Sequence, residues 1–264
     1  MHIKKSLSTF ALLFTTFFMI NHASAKDVFH GKTLVLVVEA VAENSTLHPS
    51  QGAIVQKYDR KKVLIQSFGD DIELTANSRY RITRNRARVL KERFEDNNGN
   101  ELITKYVFTS KYKGDWTRFT DDNEYLSSGH FYSIPANATD FAPESHDEKT
   151  VVLSLLLAKS DVLEEGTYPN QGTVVLQSYQ NDLTYTGQGF GPGTVSHEGT
   201  FSLKKIAPNT FIEETIQTIP DFNYTAPYVM VYHYDNSFSG TWYQMFVDGL
   251  IRFGGNFTTY TTAP

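Results

Sequence analysis

The sequence predicts an all-β chain: two tandem small antiparallel β-barrels behind a cleavable leader. Three observations carry that expectation. A closing stretch occurs twice. Tyr232-His233-Tyr234 leads to Gly240-Thr241-Trp242 and Gly255-Asn256-Phe257, and 126 residues earlier Tyr106-Val107-Phe108 leads to Gly114-Asp115-Trp116 and Gly129-His130-Phe131. The last third of each copy alternates with period two, the mark of a strand with one buried face. Finally, each copy offers roughly eight short strand-like runs at spacings of about 8–12 residues, as small barrels and sandwiches do.

Taken in order, residues 1–25 read as a signal peptide. Lys4 and Lys5 are a basic start, Leu7 to Ile20 is an apolar run, and His22-Ala23-Ser24-Ala25 supplies a small-x-small cleavage pattern, so the mature chain is expected to begin at Lys26. The predicted location is exported, periplasmic or secreted. No later stretch is apolar enough to span a bilayer as a helix, so no transmembrane segment is expected once the leader is removed. Cysteine is absent. That excludes disulfides, thiol nucleophiles and cysteine lipidation, and leaves the core to hold each copy together. Sequons stand at Asn44, Asn137, Asn223 and Asn256.

Copy one spans residues 26–140 and copy two residues 141–264. Lys32-Thr33-Leu34-Val35-Leu36-Val37-Val38 and Lys149-Thr150-Val151-Val152-Leu153-Ser154-Leu155 open the copies as strands. Pro49-Ser50-Gln51-Gly52 and Pro169-Asn170-Gln171-Gly172 are turns that feed the next strand. Residues 79–94 have strong helix formers, but their counterpart, Thr200 to Glu214, is interrupted by Pro208-Asn209. A hairpin is therefore expected in both copies, turning at Asn85 and at Asn209. Tyr228, Met230, Tyr232 and Tyr234 are expected on one strand face and Val229, Val231 and His233 on the other. Tyr106, Phe108 and Tyr112 repeat the first face, and Trp242, Gln244 and Phe246 share a face after the Ser239-Gly240 turn. Gly249 begins the turn to the final strand. Pro135 to Asp147 is the linker.

Without Lys4 and Lys5 the chain carries 22 basic and 29 acidic residues, a net charge of −7. Residues 26–140 contribute +1 and residues 141–264 contribute −8, a split unlike that of a nucleic-acid-binding protein, so no nucleic acid partner is expected.

Two strand-only copies, each ending in Gly-x-Trp and then Gly-x-Phe, resemble the calycin-type small barrels, which include lipocalins, avidins and MoaF-like domains. The resemblance rests on Gly114-Asp115-Trp116 and Gly240-Thr241-Trp242. In lipocalins the Gly-x-Trp lies on the first strand. Here it lies near the end of each copy, which turns the likeness toward the MoaF-like members. The resemblance implies a barrel whose interior commonly holds a small apolar ligand, and it carries over no catalytic motif.

Tyr106, Phe108, Trp116, Tyr232, Tyr234 and Trp242 are the candidate ligand-binding residues; the alternative is that they fill a solid core. Glu92 and Glu214, taken as equivalent, are candidate general acids or bases, with His233 beside them; the alternative is a solvated strand face. No metal or cofactor is expected, because His48, His130, His197 and His233 show no ligand spacing and Gly187-Gln188-Gly189-Phe190-Gly191-Pro192-Gly193 lacks the Lys-Ser/Thr and helix of a phosphate loop. That glycine run reads as a flexible strand connection, a candidate lid over a barrel mouth. Arg79, Arg81, Arg84, Arg86 and Arg88 form either an anion site or membrane contact, a surface that docks on the acidic second copy, or a solvated face paired with Asp70, Asp71 and Glu73. Three functions stay open: an exported binding module for a small hydrophobic or aromatic ligand, a cofactor-free isomerase, lyase or hydrolase using Glu214, His233 and tyrosines, and an envelope interaction protein.

Overall fold

The computed structural model describes residues 28–43, 49–69, 74–86, 88–246 and 250–261. The leader, His48, Asp70, Asp71, Glu73 and Gly249 lie outside the described residues, as do the side chains of Arg84 and Arg86.

Copy one comprises β1 (Lys32–Val37), β2 (Ala40–Val41), β3 (Ala53–Tyr58), β4 (Lys62–Phe68), β5 (Thr75–Arg86), β6 (Val89–Glu95), β7 (Glu101–Phe108), β8 (Lys113–Thr120) and β9 (Tyr125–Pro135). The sheet runs β1-β3-β4-β5-β6-β7-β8-β9 and closes by antiparallel pairing of β9 with β1, while β2 continues the line of β1 along β9. Copy two repeats the meander with β10 (Lys149–Ser160), β11 (Val174–Tyr179), β12 (Thr184–Phe190), β13 (His197–Ala207), β14 (Thr210–Ile219), β15 (Tyr224–Asn236), β16 (Ser239–Phe246) and β17 (Ile251–Thr261), a closed barrel in that order. The chain thus folds as two eight-stranded antiparallel barrels in tandem. β10 passes as one strand, with a bulge between Leu155 and Leu157, through the place where copy one breaks between β1 and β2. No helix among the described residues is long and apolar enough to cross a membrane.

The segment with the strongest helix propensity, around Arg84 to Arg93, pairs as strands. Tyr80, Ile82, Leu90, Glu92 and Phe94 are buried at period two, and that burial overrides intrinsic propensity. The turn of this hairpin falls after Arg86, which pairs with Val89, so Asn85 lies within β5 rather than at the turn; in copy two the turn is Pro208-Asn209, as expected. The two faces of β15 divide as expected, with Tyr228, Met230, Tyr232 and Tyr234 in the apolar cluster inside the second barrel. Tyr112 departs from its expected face: it sits in the β7–β8 turn, about half exposed.

The repeated glycines have a steric cause. A Cβ on Gly114 would stand 2.2 Å from the Val107 carbonyl oxygen, and one on Gly240 would stand 1.9 Å from that of His233. Gly129 and Gly255 are pressed in the same way, 2.0 and 1.9 Å from the oxygens of Val37 and Ser154. Each motif marks a close crossing of adjacent strands, which only glycine permits.

The outer face of β1 and β3 is buried too, which accounts for the continuous apolar run in β1. Val35, Val37 and Val55 share a cluster with Ile212, Val229, Val231 and Met245 on the outside of the second barrel. Tyr132 stacks on His233 with ring centres 3.7 Å apart, and its hydroxyl lies 2.7 Å from Thr241 Oγ1. Among the described side chains of the arginine-rich hairpin, Arg79, Arg81, Arg88 and Arg93 are exposed, and Arg93 pairs with Glu101 of its own barrel.

Candidate functional site

Each barrel buries a carboxylate in a ring of phenols and one amide. In copy one the inward positions of β3, β6 and β7 bring together Gln56, Tyr58, Glu92 and Tyr106. Glu92 Oε2 accepts from the Tyr58 hydroxyl at 2.9 Å and from that of Tyr106 at 2.7 Å, and Tyr106 also lies 2.7 Å from Gln56 Oε1. In copy two β11, β14 and β15 assemble Gln177, Tyr179, Glu213 and Tyr232. Tyr179 donates to Glu213 (3.0 and 2.8 Å) and lies 3.0 Å from Gln177 Oε1, while Thr215 Oγ1 adds a bond of 3.1 Å. Burial drives every phenol of the two rings well above its usual pKa, and the buried carboxylates push in the same direction.

The partner of Glu92 in copy two is therefore Glu213. Glu214, its expected equivalent, is exposed and pairs with Ser202 and Val229 on the outer face. A one-residue change of register moves a side chain to the opposite face of a strand. His233 faces outward also, against Tyr132 in the contact between the barrels, with its pKa pulled down to about 3, chiefly by burial. Neither residue reaches a barrel interior.

The two rings differ in what lies beside the carboxylate. In barrel one it is Arg118, fully buried, with Nε donating to Thr104 Oγ1 at 2.8 Å and its guanidinium over the rings of Phe94 and Trp116 at 5.0 and 5.5 Å. Burial raises the pKa of Glu92, and the hydroxyls of Tyr106 and Tyr58 and the charge of Arg118 oppose that rise. In barrel two the arginine is replaced by Gln244, and the residue beside the carboxylate is His146. It enters from the segment before β10, with Nδ1 3.6 Å from Glu213 Oε2 and Nε2 3.0 Å from the Tyr234 hydroxyl. Burial lowers its pKa against the pull of Glu213, which keeps the imidazole neutral. Phe29 holds the same place in copy one, packed on Tyr58 and Tyr106 with ring centres 4.9 and 5.2 Å away. Both plugs sit in the same turn, closed by Lys32 N to Phe29 O and by Lys149 N to His146 O. Sequence reading missed His146, although Phe29-x-x-Lys-Thr and His146-x-x-Lys-Thr align.

Above the carboxylate ring the barrels part company. In copy one the level is filled by Ile65, Phe94 and Arg118. Gln56 faces Ile65, and Tyr80 faces Phe94, across strand pairs whose copy-two counterparts are Gln177 opposite Gly187 and Phe201 opposite Thr215. Barrel two holds a cavity of about 520 Å³ that Gln244, in the place of Arg118, helps to line. Its wall includes Leu153, Leu155, Val175, Trp242, Phe246 and Phe253. Its polar groups include Gln177, Gln217, Gln244, His197 and the hydroxyls of Thr167, Tyr168 and Thr194, and Val162, Leu163, Phe222 and Tyr224 stand exposed at its rim. Gly187 carries the ring of His197 where its Cβ would be, 2.0 Å from Nε2.

Of the six aromatic candidates, only Trp242 lines this cavity. Tyr232 and Tyr234 are fully buried at the plugged end beneath His146, and Tyr106, Phe108 and Trp116 belong to the packed core of barrel one. The glycine run is only partly a connection: Gly187 to Phe190 are the end of β12, and Gly189 and Gly193 border the cavity. No protein-family model matches the chain, and no curated protein matches it.

Proposed function

We propose that the protein is an exported carrier that holds one small hydrophobic molecule in its second barrel. The observation that carries this reading is the cavity of about 520 Å³, walled by aliphatic and aromatic side chains with few polar groups. That size and composition suit a small-molecule pocket, commonly about 300–1,000 Å³. The leader-like residues 1–25 support export, and the Gly-x-Trp likeness to calycin-type barrels, the MoaF-like ones in particular, supports an interior ligand. Barrel one is the solid partner on which the carrier barrel docks through Tyr132, His233 and the apolar faces of β1 and β3. Binding is favoured over acid–base catalysis because Glu213 is fully buried beneath Tyr179, Tyr232 and His146, and Glu214 and His233 face away from the cavity.

The two tryptophans allow a direct test, since Trp242 lines the cavity and Trp116 lies in the core of the other barrel. Titration with a hydrophobic quencher is expected to quench the Trp116→Phe protein saturably and to leave the Trp242→Phe protein unchanged. Equal responses from the two variants, or none from either, would refute the proposal.

A further inference from the structure

Among the described residues, the cavity wall contains no lysine, arginine, aspartate or glutamate. Copy one carries a cation, Arg118, at the place that Gln244 holds in copy two, so the second barrel has no internal positive charge at that level. Gln244 is 6% exposed, and its amide makes no hydrogen bond among the described residues. The amide lines the cavity without a protein partner, so a ligand that displaces solvent there must supply its hydrogen bonds. Gln217 uses only Oε1, which accepts from Tyr185 at 3.4 Å. His197 is neutral because burial lowers its pKa, and its Nδ1 lies 3.4 Å from the Val195 carbonyl, which leaves Nε2 as an acceptor. The polar groups of the wall are thus uncharged and can both donate and accept.

The rim opposes anions as well. Glu164, Glu165 and Asp221 are exposed on the two segments that carry Val162, Leu163, Phe222 and Tyr224. The nearby cations Lys159 and Arg252 are both paired with Asp161.

We propose that the second barrel selects an uncharged amphiphile: an apolar chain ending in a hydroxyl, carbonyl or amide group that hydrogen-bonds to Gln244. A carboxylate head would be desolvated in the wall without a counter-charge, or held against an acidic rim. The inference rests on the carrier reading, and the test separates the two.

The experiment is displacement of the neutral dye N-phenyl-1-naphthylamine from the mature protein at about pH 8, where a fatty acid is ionised. Dodecanol is expected to displace it at concentrations about tenfold or more below those of dodecanoate. Gln244→Leu is expected to lower the affinity for dodecanol relative to that for the dye several-fold. Gln244→Arg, the residue that copy one uses there, is expected to bring dodecanoate ahead of dodecanol. Dodecanoate competing as well as dodecanol in the parent would overturn the selectivity and leave the carrier standing. Failure of the dye and of every chain compound to bind would overturn both.

Discussion

Replacing Arg118 by methionine tests the reasoning about the buried rings most sharply. The guanidinium is wholly enclosed, makes one side-chain hydrogen bond at 2.8 Å and lies over two aromatic rings. Methionine restores most of the packing volume but leaves the Glu92 carboxylate without its cation. Arg118 acts on Glu92 through space rather than by a direct hydrogen bond, so removing the cation should cost about 2–3 kcal/mol, at or below the roughly 3–5 kcal/mol of a contacting buried pair, whereas replacing both charged groups should be closer to neutral. Glu92→Gln alone should cost a comparable amount, and the double variant should recover most of it. With a urea slope of about 1–3 kcal/mol/M, the single variants should unfold at a midpoint lower by roughly 1–3 M. Trp116 fluorescence in a Trp242→Phe background reports the transition of this barrel.

The pH dependence carries a definite sign. The pKa of Glu92 is raised in the folded state, so its contribution is fully present below the unfolded carboxylate value of about 4.3 and is lost as pH rises through the folded value. Arg118 holds that folded value down. Without it the window widens upward, so the deficit of Arg118→Met should grow as pH rises above the unfolded value of about 4.3, and Glu92→Gln should abolish the trend. A single variant as stable as the parent at pH 8, or a double variant no better than either single one, would refute the account of this pair.

The remaining predictions concern register, crossings and the contact between the barrels. Glu214→Gln should change stability by less than about 0.5 kcal/mol in chemical unfolding, as exposed substitutions do, whereas Glu213→Leu should cost about 2 kcal/mol or more by stranding the Tyr179 and Thr215 hydroxyls. Gly240→Ala should cost about 1–3 kcal/mol, because the new methyl meets the carbonyl of His233, and the loss should appear as a lower thermal midpoint. His233 has its folded pKa lowered to about 3, so its contribution is present above the unfolded value of about 6.5 and is lost as pH falls toward 3. His233→Gln should flatten that acid limb of the stability profile.

The doubled architecture is legible because its marks are local. Gly114-Asp115-Trp116 and Gly240-Thr241-Trp242 record a backbone crossing that admits no side chain, and such a constraint survives divergence of everything around it. The hairpin of β5 and β6 could be read only through its partner, since the arginine-rich copy favours a helix and the Pro208-Asn209 copy forbids one. The candidate site was less accessible. Glu92 was found, but the copies are offset by 121 residues in β3, β5 and β6, where Gln56, Tyr58 and Glu92 match Gln177, Tyr179 and Glu213, by 122 in β4, and by 126 through β7 to β9. A one-residue error in that offset selected Glu214. The alternation Phe211, Glu213, Thr215, Gln217 against Leu90, Glu92, Phe94, Asp96 holds the signal that would have prevented it. The open space in barrel two was not legible at all. Its wall draws on Leu153, Gln177, Gln217, Gln244 and Phe253, on strands distant in sequence that only the closed barrel brings together.

The central claim is that one barrel is open and the other solid, and stoichiometry tests it most directly. Native mass spectrometry of the mature chain with excess dodecanol should show one bound molecule per chain. The adduct should disappear when Val175 and Leu155, both on the cavity wall, are changed together to tryptophan. Two molecules per chain, or one that persists in the filled variant, would contradict the account.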